Sequence, residues 1–436
     1  MAAMRVAFIA HESTKAGAGF FLIDVIDFFL SKHIDMLVIS PMPGPLSEAL
    51  IHRGVECRYV KSPWWWTHNR TEGVPYRATI DAANQMSDIL KEWGANIVYT
   101  NTLVAPAGAF AAALAGLPHV WHIHEFAYSP EAIEMSLPKQ DLATLMIQTT
   151  NAIIFNSQSV ASEWDGFFEK KRTSIVYNWT RMNGDNQPGG VQSHLEQQID
   201  NLRGRGFFSH IASVTRWKRQ LDSLHALKNV VTGGRDVVLV FAGPVAETSY
   251  YQELRDFVRN HNLNDNVRFI GYVDKPASAL RQSIATLVCS QMEPFGRVTI
   301  ESMAVGVPVI GAASAGTAEI IQDEVNGLLF PPGDIDALTR QMIRLVSDHD
   351  LRKRLSNQGL ERAKRFSSPE TEMEPVVRLM EGLLAERNPS WPLGHYFSFG
   401  FLSSKANSLQ PVPEIHKLKN NCKLIFANFI KKVCYS

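Results

Sequence analysis

Ser290-Gln291-Met292-Glu293-Pro294-Phe295-Gly296-Arg297-Val298-Thr299-Ile300-Glu301-Ser302-Met303-Ala304-Val305-Gly306-Val307-Pro308-Val309-Ile310 carries the clearest strand-to-helix pattern in the chain. An apolar run, Ile284–Cys289, precedes it and another, Val307–Ile310, closes it, so the order is strand, loop, helix, strand. Pro294-Phe295-Gly296 opens the helix, since proline suits a first turn. Glu293 then stands at the carboxyl end of a strand, and Glu301 lies inside the helix about one turn beyond Arg297. The spacing of the two glutamates means nothing alone, because Glu48 and Glu56 form another such pair. Context gives it weight. One carboxylate at a cleft mouth and one farther along the helix suit two hydroxyl-bearing parts of one ligand. Between them the helix N-terminus offers N–H groups and a positive dipole end, a seat for a phosphate. Taken alone, Arg297 and Glu301 read equally well as a helix-surface pair.

Outward from this segment, strands and helices alternate. Short strand-like runs at Val6–Ala10, Met36–Ile39, Cys57–Val60, Ile97–Thr100, His119–Ile123 and Ala152–Phe155 are separated by helical stretches. A polar, turn-rich stretch without periodicity, Arg181–Gly190, then reads as a linker. The alternation restarts with Phe207–Val214, Val237–Ala242, Val267–Ile270 and the two runs around the opening segment. Strands spaced by helices imply parallel βαβ units. The expected fold class is therefore α/β, with two Rossmann-like domains facing across a cleft, and the site at the carboxyl ends of the strands.

Composition excludes several classes. The 436 residues carry 43 basic and 43 acidic side chains, so no net charge draws the whole chain to nucleic acid. Hydrophobic residues make up 45%, enough for real cores. The four cysteines, Cys57, Cys289, Cys422 and Cys434, form no C-x-x-C pair, which points to a reducing cytosol. The run Met1–Ala10 reads as a first strand and not as a signal peptide. Val104–Pro118 is interrupted by Pro106, Gly108 and Gly116 and is too short to span a membrane.

From Glu293 to Ile310 the chain resembles the retaining GT-B glycosyltransferases of glycosyltransferase family 4. It shares their E-x7-E block with Pro-Phe-Gly, Met-Ala and Gly-x-Pro-Val landmarks. The resemblance continues through Ala315–Ile321 and Asn326–Asp334, and upstream at Val176-Tyr177-Asn178 and Ile211–Gln220. It covers about Val6 to Glu386 and is specific in the second half. It implies an acceptor-side domain over 1–180, a linker over 181–206, a nucleotide-sugar-binding domain over 207–366, a crossover helix over 367–388 and a basic tail over 389–436. Glu301 would bind the donor's ribose and Glu293 the transferred sugar, with the backbone of Phe295 and Gly296 against sugar and diphosphate. Lys218 would neutralise the diphosphate as its charge grows. Gly17 and Gly19 match the family's glycine loop, and His124 the histidine near the reacting sugar. Glu293, Lys218 and His124 are thus the catalytic candidates. One departure stands out: the family's Gly-Arg is Ala212-Ser213 here, and Arg216 and Arg297 are the candidates for replacing that arginine.

The resemblance implies transfer from a nucleotide-diphosphate sugar to a hydroxyl of a glycan or lipid-linked acceptor, as in cell-surface polysaccharide assembly. The donor is a co-substrate, with no metal or cofactor expected. Retention in the family is understood as a front-face reaction in which the departing phosphate helps take the acceptor's proton. The alternatives are a sugar-nucleotide epimerase on the same fold, or a non-catalytic nucleotide-sugar-binding protein.

Several other features have plainer readings. Gly17-Ala18-Gly19 lacks the third glycine of the dinucleotide fingerprint, and the second strand ends without its acidic residue. Asp334-Ile335-Asp336 and Asp348-His349-Asp350 carry D-x-D letters, but each begins a helical pattern where Asp is an ordinary N-cap. His122 and His124 lie on one strand face without an evident third metal ligand. Trp64-Trp65-Trp66, near His68 and Arg70, offers aromatic faces for sugars or lipid headgroups, though two core residues and one rim residue are expected. Past Pro389 a lysine-rich amphipathic helix either docks on the N-terminal domain or makes peripheral contact with an anionic membrane. The expected location is cytoplasmic, with such contact at the inner membrane face.

Overall fold

The computed structural model describes residues 3–15, 17–66, 74–129, 135–169, 172–180, 182, 202, 204–273 and 281–386. The chain forms two compact units. The first comprises Met1–Phe155, Glu163–Ile175 and the chain from Met373 onward; the second comprises Asn156–Ser162 and Val176–Glu372.

The first unit holds β1 (Arg5–Ile9), β2 (Asp35–Ser40), β3 (Glu56–Tyr59), β4 (Ile97–Asn101), β5 (His119–Ile123), β6 (Ala152–Phe155) and β7 (Thr173–Ile175). They pair in parallel in the order β3-β2-β1-β4-β5-β6-β7. Its helices are α1 (Gly17–Ser31), α2 (Pro45–Ile51), α3 (Tyr76–Trp93), α4 (Ala107–Ala115) and α5 (Lys139–Thr149). Every residue of β4, β5 and β6 is buried. Burial on both faces is why none of the three alternates polar with apolar residues, although only β6 is apolar throughout.

The second unit repeats the plan with β8 (Gly206–Ile211), β9 (Val237–Ala242), β10 (Val267–Phe269), β11 (Ala285–Val288), β12 (Val309–Ala312) and β13 (Leu328–Phe330). The order is β10-β9-β8-β11-β12-β13, again parallel. Its helices are α6 (Gln158–Ser162), α7 (Gln220–Thr232), α8 (Thr248–Asn260), α9 (Arg297–Ala304), α10 (Ala315–Ile320), α11 (Ile335–Ser347) and α12 (His349–Lys364). Phe208, Leu239, Leu287 and Ile310 of the strands form one core with Leu224 and Leu227 of α7 and Leu338 and Met342 of α11. In each sheet the strand order reverses once, at β1/β4 and at β8/β11. The loops after those neighbouring strands diverge and leave a crevice at the carboxyl ends.

Two features depart from a simple division of the chain into 1–180 and 207–366. Asn156–Ser162 belongs with the second unit because Glu319 of α10 accepts from the N–H groups of Gln158 (3.0 Å) and Ser159 (2.6 Å), capping α6. Helix α13 (Pro369–Ala385) starts in the second unit, where Glu372 meets Arg365 (2.7 Å) and the Tyr177 N–H (2.9 Å). It continues in the first, where Glu374 pairs with Lys32. Most of the linker expected over 181–206 and all of the tail over 389–436 lie outside the described residues, as do His68 and Arg70. β12 starts at Val309 and not at Val307, since Pro308 has no N–H; its carbonyl accepts from Thr286 N–H (2.9 Å). Asp334 and Asp348 are N-caps, accepting from Ala337 and Leu351 N–H at 2.8 Å each. Among the described residues, no helix is long and apolar enough to cross a membrane.

Two core histidines couple the fold to pH. His119 bonds Thr100 (2.8 Å) and Thr150 (3.0 Å), and His210 bonds Ser223 (2.9 Å). Burial lowers each to about 3 from an ordinary 6.5. The unfolded chain therefore takes up protons that the folded chain refuses as pH falls from 6.5 toward 3. Each histidine removes up to about 1.4 kcal/mol of stability per pH unit in that window and nothing above it. The melting temperature should hold steady above about pH 7 and fall below about pH 6, less steeply in His119→Gln. An acid limb of equal slope in that variant would contradict the assignment.

Candidate active site

The loop carrying Glu293 is fixed by close backbone packing. Gly296 caps α9 with φ 97°, the left-handed region that glycine tolerates, and a side chain there would come within 3.3 Å of Glu293 Cγ and Thr299 Oγ1. Gly316 of α10 lies against the same loop. Its N–H donates to the Glu293 carbonyl (2.9 Å), and a β-carbon there would sit 2.5 Å from Phe295 Cα. The Phe295 ring is buried between Tyr177 and Phe366, with centroids 5.8 and 5.7 Å away. Only the backbone of Phe295 and Gly296 is thus left to meet a ligand. The first N–H groups of α9, like those of any helix, lack acceptors within the helix.

Lys218 reaches this loop from the adjacent strand. β8 pairs with β11 through Phe208↔Ala285 and Ser209↔Thr286. The chain beyond β8 makes a single 3-10 turn, Arg216–Lys218, stopped by Arg219 at φ 51°. Lys218 Nζ donates to Glu293 Oε2 at 2.6 Å, and the two side chains are 30% and 16% exposed. On α9, Arg297 Nε meets Glu301 Oε1 at 3.3 Å. Each carboxylate of the E-x7-E pair therefore faces a cation. Behind Lys218, His210 is held neutral first by burial and then by the lysine's charge.

The two arginine candidates are placed differently. Arg297 stays beside Glu301, whereas the Arg216 guanidinium bonds Glu253 (2.6 Å) and covers the Tyr250 ring (5.0 Å). Arg219 is not marked out by any motif of its own in the sequence. It bonds Asp222 (2.6 Å) and Gln291 (3.2 Å), two residues before Glu293. Its only sequence signal is adjacency to Lys218. Ser213 gives its carbonyl to Gln220 Nε2 (2.9 Å), and Gly243 packs on the preceding residue so closely that a β-carbon would lie 2.0 Å from Ala212 O.

The first unit gathers its candidates at the carboxyl ends of β1, β4 and β5. Gly17 opens α1 with no atom within 4 Å of where a β-carbon would stand, while Gly19 is required by packing, 2.6 Å from Thr14 O. Asn101 of β4 links the other two elements: its Nδ2 donates to Ala18 O (3.0 Å) and its Oδ1 meets His124 Nε2 (2.9 Å). His124 also lies on the His122 ring, centroids 4.1 Å apart. His122 is held neutral by burial, then by His124, and bonds Tyr99 OH at 2.6 Å. Glu125, half-buried, anchors the turn by accepting from Thr102 Oγ1 (2.6 Å), Leu103 N–H (3.1 Å) and His124 N–H (3.0 Å). The tryptophan expectation needs correcting. Only Trp65 is core, donating to Thr79 (2.8 Å); Trp66 is half-buried and Trp64 is 39% exposed. Trp64 Nε1 donates to the His11 carbonyl (2.9 Å), which holds the exposed ring in place.

The family model for glycosyl transferases group 1 matches residues 194–362, and that for Glycosyltransferase Family 4 matches residues 16–181. The chain belongs to glycosyltransferase family 4. Over 169 residues this family 4 chain is 32% identical to an N-acetyl-alpha-D-glucosaminyl L-malate synthase of Bacillus anthracis, covering 39% of this chain and 43% of the relative. Over 214 residues it is 34% identical to a lipopolysaccharide core biosynthesis glycosyltransferase of Rhizobium meliloti, covering 49% and 59%. The matches thus span about half the length of these curated relatives. Among solved structures, Anabaena HepE in complex with UDP-glucose superposes with a TM-score of 0.74 at 22% identity, over 87% of this chain and 100% of HepE. WaaG, a glycosyltransferase involved in lipopolysaccharide biosynthesis, gives 0.66 at 14% identity over 86% and 100%. At such identities the likeness is one of fold, and the family 4 chain has the GT-B fold. Among its described residues, no group of three or more His, Cys, Asp or Glu is placed to hold a metal ion.

Proposed function

We propose that this family 4 chain is a retaining glycosyltransferase that takes a sugar from a nucleotide-diphosphate sugar and places it on a hydroxyl of a glycan or lipid-linked acceptor. The observation that carries the reading is Lys218 and Glu293 meeting at 2.6 Å beside the start of α9, with Glu301 eight residues along. A cation and a helix N-terminus suit a diphosphate, and two carboxylates suit the hydroxyls at its two ends. Charge builds on the diphosphate as the glycosidic bond breaks, so Lys218 acts where stabilisation counts most. Glu301 would hold the ribose, Glu293 the transferred sugar, and His124, Gly17 and Gly19 would serve from the first unit. Arg219 and Arg216 are each paired with a carboxylate, Asp222 and Glu253, but Arg219 also bonds Gln291 beside the Glu293 loop, which makes it the candidate for the family's arginine.

Relatives that build lipopolysaccharide and capsule support a role in cell-surface polysaccharide assembly in the cytoplasm. HepE with UDP-glucose makes UDP-sugars the first donors to try. The test is a thermal-shift panel of UDP-, GDP- and dTDP-sugars, because a ligand bound only by the folded state raises the melting temperature. One nucleotide class should raise it, by about 2.7 kcal/mol of stability at a hundredfold excess over Kd. A flat response across the panel would overturn the reading.

A further inference from the structure

We infer that Glu293 competes with the donor's diphosphate for Lys218, so that the site favours the intact nucleotide sugar over the nucleoside diphosphate left after transfer. This deepens the donor-site reading above and rests on it. The pair is direct, 2.6 Å from Nζ to Oε2, between side chains only 30% and 16% exposed. A pair so shielded is screened less than an open surface pair. A diphosphate that takes the Lys218 ammonium must break it, and Glu293 is then an unpaired carboxylate next to a second anion.

The two ligands differ in what they return. A nucleoside diphosphate offers Glu293 no donor, so the lost pair stays uncompensated. A nucleotide-diphosphate sugar brings hydroxyls that donate to Glu293 as Lys218 turns to the phosphates. After transfer those hydroxyls leave with the acceptor, Glu293 takes Lys218 back, and the spent nucleotide is loosened. The backbone does not yield in this exchange. The Glu293 carbonyl is held by Gly316 N–H at 2.9 Å, and Gly316 and Gly296 leave the loop little room. Side-chain rotation alone carries the exchange.

The experiment is calorimetric titration of UDP and UDP-glucose, or of the GDP or dTDP counterparts that shift the wild-type melting temperature. Four full-length proteins are compared: wild type, Glu293→Gln, Lys218→Met and the double variant. Glu293→Gln should bind the nucleoside diphosphate about 5-fold more tightly than wild type, the release of one partly shielded ion pair. It should bind the sugar conjugate more weakly. In the Lys218→Met background the same change should leave nucleoside diphosphate affinity within about twofold, since no pair remains to be broken. Unchanged or weaker binding of the nucleoside diphosphate by Glu293→Gln overturns the inference. So does a gain that persists without Lys218, which would be simple repulsion between Glu293 and the phosphates. Should wild type bind no nucleotide at all, the donor-site reading falls and this inference with it. If wild type binds both ligands and the cycle shows no coupling, only the competition is wrong.

Discussion

Replacing Lys218 by alanine should lower sugar transfer about 10²–10³-fold and leave the fold intact. Lys218 is the cation at the mouth of the β8/β11 crevice that contacts Glu293, and it sits on a one-turn 3-10 segment with no buried residue. On the proposed donor reading, truncating it removes charge where the leaving diphosphate would gain it, while no core contact is lost. Glu293→Ala should abolish transfer in the same way, through loss of the hold on the sugar. Turnover per enzyme and the melting curve check the two halves of the statement. Turnover of either variant within about threefold of wild type would be far less than the loss of one stabilising group predicts.

Replacing Gly316 by alanine has the larger effect on the fold. The added carbon would stand 2.5 Å from Phe295 Cα and 2.6 Å from the carbonyl oxygens of Pro294 and Phe295, all backbone atoms. Backbone has to move, and overpacking of this kind costs about 1–3 kcal/mol or more. The part that moves is the loop bearing Glu293, whose carbonyl accepts from Gly316 itself. A displacement of about 1 Å in a reacting constellation can cost a hundredfold in rate, so activity should fall further than stability alone explains. Alanine at Gly382, open and exposed on α13, is the control and should be neutral or mildly stabilising. Urea unfolding of both variants decides the matter. Equal midpoints for Gly316→Ala and Gly382→Ala would contradict the packing described here.

Much of this was legible in the sequence, and the rest had physical reasons to be hidden. Buried parallel strands such as Ala152–Phe155 are apolar throughout, and Pro294 and Gly296 mark the start of α9, so the βαβ order and the place of Glu293 could be read locally. That Lys218 touches Glu293, 75 positions along the chain, depends on β8 lying next to β11. Local pattern carries no record of it. Arg216 pairs with Glu253 of α8 for the same kind of reason, and the capping of α6 by Glu319 depends on a contact 160 residues away. In Trp64-Trp65-Trp66 the apolar letters are identical, and only the hydrogen bonds to His11 and Thr79 show which ring turns out and which turns in.

A crystal structure of the protein soaked with the nucleotide sugar that the donor panel selects locates the donor directly. The diphosphate should lie against the first turn of α9 with Lys218 turned onto it, the ribose on Glu301 and the sugar on Glu293. A nucleotide bound elsewhere, or bound there while Lys218 stays on Glu293, would contradict the donor-site reading.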